Sequence, residues 1–350
     1  MRTGIVVAAH SGVSELAVQA EELGFNSFWV YDTPMVHGDP FVALSSCARA
    51  TSRIKLGVGV TSPALRSAPA AASAFASLNA LAPGRIVCGV GTGNTARRTL
   101  GSAPTTTAEL EVFTAALQGL CAGRGTSYHE GDRDREIRFL HTGHQVNTAD
   151  PIEFVVAAQG PKAAAVAGRR DAGLMSFGLL DPVAWRALHA ARQGASDISG
   201  AGGSYLVTAL HVLHEGEDPH GDAARDAVGH VVLALLAYAA EIPSVAAGLG
   251  AEERAALHRL LDRRGTTATA PDRHTMLYSN YLGPITPADR DLITPTLMHA
   301  LTLVGTPDDL RARLAALAGA GVDELLIQPV VDPLEEMAVI AELIHRRELG

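Results

Sequence analysis

Apolar and polar positions alternate between two periods along the whole chain. Thr3–Ala8 reads as a strand, and Val13, Leu16, Ala17, Ala20 and Leu23 then recur at spacings of three and four, which predicts an amphipathic helix. Gly24 supplies the left-handed residue that ends such a helix, and Ser27–Tyr31 reads as the next buried strand. The unit repeats: Ile54–Val60 predicts a strand, Ala70–Leu81 an Ala-rich helix and Arg85–Val90 a strand. Later, Glu153–Ala158, Leu174–Phe177, Leu206–Leu213 and Glu324–Gln328 read as strands among helical patterns. Helix starts are marked by proline at Asp39-Pro40, Gly160-Pro161, Asp181-Pro182, Thr306-Pro307 and Asp332-Pro333. Proline loses nothing at the first helical position, where its missing N–H has no partner anyway, and all but Gly160 place a side-chain cap before it. Thr306-Pro-Asp-Asp309 reads as a capping box with Asp in place of Glu.

Near-continuous apolar strands alternating with helices imply a parallel sheet covered on both faces. Eight strands are the number that closes a (β/α)8 TIM barrel, so the expected class is α/β in that form. Two stretches interrupt the alternation. One, about 122–150, is polar and rich in His, Arg and Gly, between the fourth and fifth strands. The other, about 215–303, separates the seventh and eighth strands and holds helical patterns at Ala223–Ala239 and Ala251–Arg264, with a loop rich in Thr, Pro and Tyr. A strand-to-helix insertion of that size lies at the C-terminal mouth of a barrel, where binding sites form. The expectation is one domain over 1–350. A doubly wound two-domain arrangement is the alternative, and Leu325–Gln328, which returns the chain's end to the same kind of sheet, speaks against it.

Composition narrows the function. At 350 residues, 47% hydrophobic and 19% charged, the chain has material for a large core and is not of the disordered class. The net charge is −9, and only Lys55 and Lys162 are lysines. With no basic stripe, nucleic acid and anionic membrane surfaces are excluded as partners. Cys47, Cys88 and Cys121 are far apart with no CxxC, which excludes a disulfide framework or a structural zinc site. The longest apolar stretch, Val231–Ala240, is about half of what a bilayer requires, and no cleavable leader pattern follows Met1. A cytoplasmic enzyme is the expectation.

Candidate chemistry collects at strand ends. Gly91-Thr-Gly93-Asn-Thr-Ala96 formally matches G-x-G-x-x-G/A, yet it follows the fourth strand, and the next helix is expected only near Thr107. Tight turning at a strand end explains the glycines equally well. At Gly160-Pro-Lys162 a strand end runs into a Pro-started helix whose amides and dipole suit a phosphate, or it is an ordinary helix start. His10 and His37 each follow a strand on the same rim. His211 and His214 fall on opposite faces of one strand and do not chelate, and His141 and His144 lack a carboxylate at ligand spacing, so no metal is expected. Asp32 ends the second strand, placed to accept hydrogen bonds from a heterocycle or substrate or to cap the loop at Thr33-Pro34. No H-E-x-x-H, G-x-S-x-G or paired-carboxylate signature occurs.

Four stretches taken together carry a resemblance: Ala20–Asp32; Ile54–Pro63 continuing through Arg66 and Pro69 to Ala82–Gly93; Phe154–Pro161; and Val304–Asp309 with Ala320–Pro329. In order along the chain, they resemble the luciferase-like superfamily of flavin- and deazaflavin-dependent oxidoreductases, and within it the methylenetetrahydromethanopterin reductase-like branch that uses coenzyme F420. The resemblance implies a TIM barrel with an insertion after the seventh strand and a ring lying across the C-terminal mouth. It implies a third-strand bulge with a non-prolyl cis peptide behind that ring, here Gly59-Val60 with Thr61 beside it. The rims at Gly91, Thr92, Gly93 and Asn94, at Ala158, Gln159, Gly160 and Pro161, and at Ser176 to Gly178 would hold the ribityl chain and phosphate. Asp32 matches an acidic position near the ring.

This chain departs from the family pattern in places. Thr33 stands where many relatives carry His after the aspartate, Val6 where methanopterin reductases carry Glu, and Arg66-Ser-Ala-Pro69 replaces Arg-His-Pro. His10 is then the candidate polar group, with Asp32, for proton donation or anchoring. Three readings follow. One is hydride transfer between F420 and a small organic substrate. Another is an FMN-dependent, two-component monooxygenase using O₂ and a separate flavin reductase. The last is a non-catalytic flavin- or ligand-binding barrel. A homodimer is the expected assembly from the resemblance.

Overall fold

The computed structural model describes residues 1–141, 145–196, 202–265 and 271–345. Eight parallel strands close a barrel: β1 (Arg2–Val7), β2 (Ser27–Val30), β3 (Lys55–Thr61), β4 (Ile86–Val90), β5 (Glu153–Ala157), β6 (Gly173–Phe177), β7 (Ser204–Thr208) and β8 (Glu324–Ile327). Each strand pairs with its neighbours in sequence, and β8 closes the ring on β1 through Arg2↔Glu324 to Ile5↔Ile327. The middle of each strand is mostly apolar because both faces are buried, one on the outer helices and the other on the barrel's own interior, while polar residues such as Ser27, Lys55, Glu153 and Glu324 begin the strands. Trp29 fills much of that interior, packed edge-on against Tyr205 with centroids 5.2 Å apart. Gly57 is required beside it, since a Cβ there would lie 2.2 Å from the indole ring.

The marked helix starts are all helix starts. Asp39 accepts from the amides of Phe41 and Val42, Asp181 from Val183, and Thr306 with Asp309 makes the full capping box. The Pro161–Arg169 helix, by contrast, has no side-chain cap. Glu21, at the end of the helix Val13–Glu22, accepts from the amides of Ser52, Arg53 and Ile54 and so fixes the approach to β3. Burial works to raise its carboxyl, but those amides outweigh it and bring the pKa down to about 2.

Four expectations are corrected. Leu206–Leu213 is not one strand. β7 ends at Thr208, whose hydroxyl donates to Leu301 O at 2.6 Å, and Leu210–Val212 pairs separately with Leu303–Gly305 as the chain leaves the barrel. His211 therefore sits outside the barrel and meets the Glu217 carboxylate at 2.7 Å. A helix does begin inside the glycine motif, the single turn Asn94–Arg98, entered through Gly93 at φ 71°. The helix expected near Thr107 follows at Thr107–Cys121, with its own Thr106–Glu109 capping box. The first insertion holds an antiparallel hairpin, Thr126–Glu130 with Arg133–Ile137; charged side chains on both faces masked its strand period. The loop after the second insertion's helices Asp222–Ala239 and Ala251–Arg263 contains Arg273–Leu277, a 3-10 turn at Pro287–Leu292, and the helix Pro295–Leu301. His144 lies outside the described residues. No group of histidines, cysteines and carboxylates among the described residues is arranged to hold a metal ion, and no described helix is long and apolar enough to cross a membrane.

Candidate functional site at the barrel mouth

The C-terminal ends of the strands gather most of the sequence-predicted residues. β3 bulges between Val58 and Thr61, and the Gly59–Val60 peptide within it is cis. Val60 leans across to β4, where Cβ atoms on Gly89 or Gly91 would meet its methyls at 2.8 Å, so both glycines admit the bulge. Thr61 and Ser176, at the ends of β3 and β6, are buried at 0% and 2% exposure. Neither hydroxyl oxygen has a hydrogen-bond partner among the described residues. Between them, Gly160 opens the Pro161–Arg169 helix with nothing within 4 Å of where a Cβ would stand. The first-turn amides of Lys162 and Ala163 point out of that helix with no carbonyl to meet within it. Gln159 donates to Phe177 O at 2.9 Å, tying the β5 and β6 rims together, and Gly178 turns that rim at φ 65°. Thr92 O accepts from the Thr105 amide at 2.9 Å, and Asn94 Oδ1 holds Arg98 Nε at 2.9 Å.

Asp32 is brought to the mouth but not left open. It is 3% exposed and paired with Arg66 Nε at 3.2 Å, while Arg66 Nη2 reaches Asp39 at 2.6 Å and the guanidinium lies over Phe41, 4.5 Å from the ring centre. Burial would raise the Asp39 carboxyl, but Arg66 and the two amides it caps hold it below its ordinary value. Arg66 is the partner that spacing alone did not identify, since Asp32 and Asp39 flank a loop and only the fold sets β3 beside it.

The second insertion reaches back over the mouth. Tyr281 and Leu282 join the interior cluster with Trp29 and Val60, and Leu282 is held at φ 57°. Tyr31 Oη donates to Gln328 Oε1 at 2.9 Å, and Gln328 Nε2 donates to Leu282 O at 2.9 Å, so the end of β8 latches the insertion. Burial keeps the Tyr31 phenol protonated well past its ordinary range, with Tyr281 adding to the shift. Gln328 was placed only as a strand end by the sequence, because the carbonyl it holds is 46 residues away.

Tyr281 and Leu282 also line a cavity at the mouth. The β3–β6 side carries the orphaned hydroxyls. On the β1/β8 side lies a cavity of about 470 Å³, bordered by His10, His37, Tyr278, Tyr281, Leu282 and Gln328 among others. His10 is exposed, and its Nδ1 accepts from the Gly12 amide at 3.2 Å. His37 stacks on Tyr31 with centroids 5.9 Å apart, and its Nε2 is buried without a partner among the described residues. Burial lowers its pKa, more strongly than a hydrogen bond to the Val36 backbone raises it.

This architecture has relatives. Over 355 residues the chain is 27% identical to a 5,10-methylenetetrahydromethanopterin reductase of Methanolobus tindarius, covering 97% of this chain and 95% of that protein. An F420-dependent glucose-6-phosphate dehydrogenase of Kineococcus radiotolerans is 35% identical over 175 residues, which span 46% of this chain and 50% of that one. Among solved structures, an F420-dependent secondary alcohol dehydrogenase in complex with an F420–acetone adduct superposes with a TM-score of 0.68 at 17% identity, covering 99% of each chain. The family model described as luciferase-like monooxygenase matches residues 7–324. That match runs from the end of β1 to the start of β8 and takes in the β2 to β6 rims of the mouth, and its relatives are enzymes; the chain is an oxidoreductase that belongs to the luciferase-like family.

Proposed function

We propose that this enzyme binds the deazaflavin coenzyme F420 across the β3–β6 side of the mouth and exchanges hydride with a small organic substrate held on the β1/β8 side. The observation that supports it is the pair of buried, unpartnered hydroxyls on Thr61 and Ser176, flanking the open space over Gly160. Buried polar groups without partners are rare, and they mark places where a ligand supplies the missing bonds. The residues present therefore fit such a group. The deazaflavin supplies the two-electron hydride chemistry. The chain's contribution is placement: the Thr61 and Ser176 hydroxyls donate to polar atoms of the bound molecule, and the amides at Lys162 and Ala163 with the helix dipole meet its phosphate. The β3 bulge supports one face, and Tyr281 and Leu282 exclude water.

A visible-absorbance titration tests this. F420 is expected to bind to the purified protein and to lose roughly tenfold in affinity in Ser176→Ala, the loss of about one hydrogen bond; no binding rejects the reading. The family model's own description favours a second reading, an FMN-dependent monooxygenase supplied by a separate reductase. Substrate-dependent O₂ consumption with reduced FMN supports that reading instead. In either case the working unit is read as a homodimer, which light scattering checks.

A further inference from the structure

Asp32 and Asp39 bracket the stretch 33–38, which lies between β2 and the helix Pro40–Ala50. Met35, Val36 and His37 of that stretch border the cavity of about 470 Å³ on the β1/β8 side. Its own backbone bonds are few: the His37 amide donates to Thr33 O at 3.1 Å, and the Gly38 amide to Ala9 O at 3.0 Å. Met35 is 86% exposed and sits at φ 66°, a conformation that a residue with a side chain keeps only where its surroundings impose it. Both ends of the stretch meet one side chain. Arg66, in the turn after β3, donates from Nε to Asp32 Oδ2 at 3.2 Å and from Nη2 to Asp39 Oδ2 at 2.6 Å. That turn is itself fixed, since the Leu65 and Arg66 amides donate to Ser62 O at 3.0 and 3.2 Å. Asp39 divides its oxygens: Oδ1 caps the helix through the Phe41 and Val42 amides, and Oδ2 goes to Arg66. Arg66 is not among the described residues that border the cavity.

The two arms of this bridge have different reasons. Asp32 is 3% exposed, and a buried carboxylate without a cation is strongly destabilising, which accounts for the first arm. Asp39 is exposed and already engaged as a helix cap, so it has no such need. What the second arm adds is a fixed separation between the two ends of 33–38. A planar guanidinium fork can hold two carboxylates in one geometry, whereas an ammonium is a point charge on a flexible stem. Resting on the reading of the β1/β8 cavity as the substrate's, we infer that Arg66 is a positioning residue of this enzyme. By holding Asp32 and Asp39 together it sets the wall formed by Met35, Val36 and His37, and with it the shape of the space a substrate enters. Asp32 serves as the buried anchor of that wall.

Asp39→Asn isolates the second arm. An asparagine oxygen still caps the helix, and the buried Asp32–Arg66 pair keeps both charges. Hydrogen exchange followed by NMR on the apoprotein is expected to show the His37 and Gly38 amides exchanging at least roughly tenfold faster in this variant, with the Phe28 and Trp29 amides of β2 unchanged. N-phenyl-1-naphthylamine, an uncharged apolar fluorophore, is expected to bind the wild-type protein and to bind Asp39→Asn roughly fivefold more weakly. Arg66→Lys should weaken the probe as much, because one ammonium does not hold both carboxylates; if that variant does not fold, Asp39→Asn decides. Unchanged exchange at His37 and Gly38, acceleration shared equally by the barrel strands, full probe affinity with the stretch loosened, or no probe binding to the wild-type protein overturns the inference. A parallel F420 titration keeps the two readings separate. Coenzyme affinity is expected to stay within about twofold in Asp39→Asn, while failure of the wild-type protein to bind F420 rejects the proposed function and leaves the exchange and probe results to score Arg66.

Discussion

The two ends of the barrel interior treat polar groups in opposite ways. At the N-terminal floor, Ser27 bonds Glu324 and takes the indole N–H of Trp29 at 2.7 Å. Arg2 lies 3.3 Å from Glu324, Lys55 meets Glu153 at 2.7 Å, and Tyr205 donates to Glu153 at 2.5 Å. Every polar head in that group has a partner. At the C-terminal mouth, Thr61, Ser176 and His37 bury polar atoms with none among the described residues, and His230, on the insertion helix Asp222–Ala239, leaves both ring nitrogens unmatched there. The floor pairs charged groups with one another and with hydroxyls, whereas the unmatched groups of the mouth are neutral hydroxyls and imidazoles. A satisfied network stabilises the closed barrel, whereas an unsatisfied one gives up stability that a ligand restores.

Substitutions can break that contrast. The largest effect is expected for Trp29→Ala, which empties the floor's main filling and removes a network member: about 3–5 kcal/mol by urea denaturation. Ser27→Ala leaves Glu324 and Trp29 each short of a partner and should cost about 1–3 kcal/mol, with no change in coenzyme titration. Burial alone lowers the His230 pKa from 6.5 to about 3. Because the folded value is the depressed one, its contribution is intact above pH 6.5 and is lost as pH falls toward 3, at about 1.4 kcal/mol per pH unit. His230→Leu should flatten that part of the acid limb in denaturation curves taken from pH 7 to 4. Smallest in stability, Thr61→Val should change the apoprotein by within about 0.5 kcal/mol, since its hydroxyl has no bond to lose, while weakening F420 binding. If Thr61→Val destabilises like Ser27→Ala, the contrast between floor and mouth is wrong.

Much of the fold was legible because its signals are local. Strand runs such as Ile86–Val90, caps such as Asp39 and Thr306, and the stop at Gly24 act within a few residues of themselves, where period and backbone sterics decide. The hairpin at 126–137 escaped because its strands are solvated on both sides and carry no apolar alternation. At the site, the resemblance marked the cis peptide and the rims at Gly91, Gly160 and Ser176. It left out Arg66 as the partner of Asp32, Gln328 as the latch and the buried, unpartnered ring nitrogen of His37. The first two depend on a neighbour far away in the chain, and the last on how the fold buries one ring nitrogen.

By itself, then, the amino-acid order determined the eight strands, the covering helices and the positions of the two insertions, because each element declares its own buried face. Only the tertiary structure decided which polar atoms meet and which go unmatched. Hydrogen bonding is satisfied in space over a few ångströms, and barrel closure brings Glu324 to Ser27 and Gln328 to Leu282 across separations that no sequence period records.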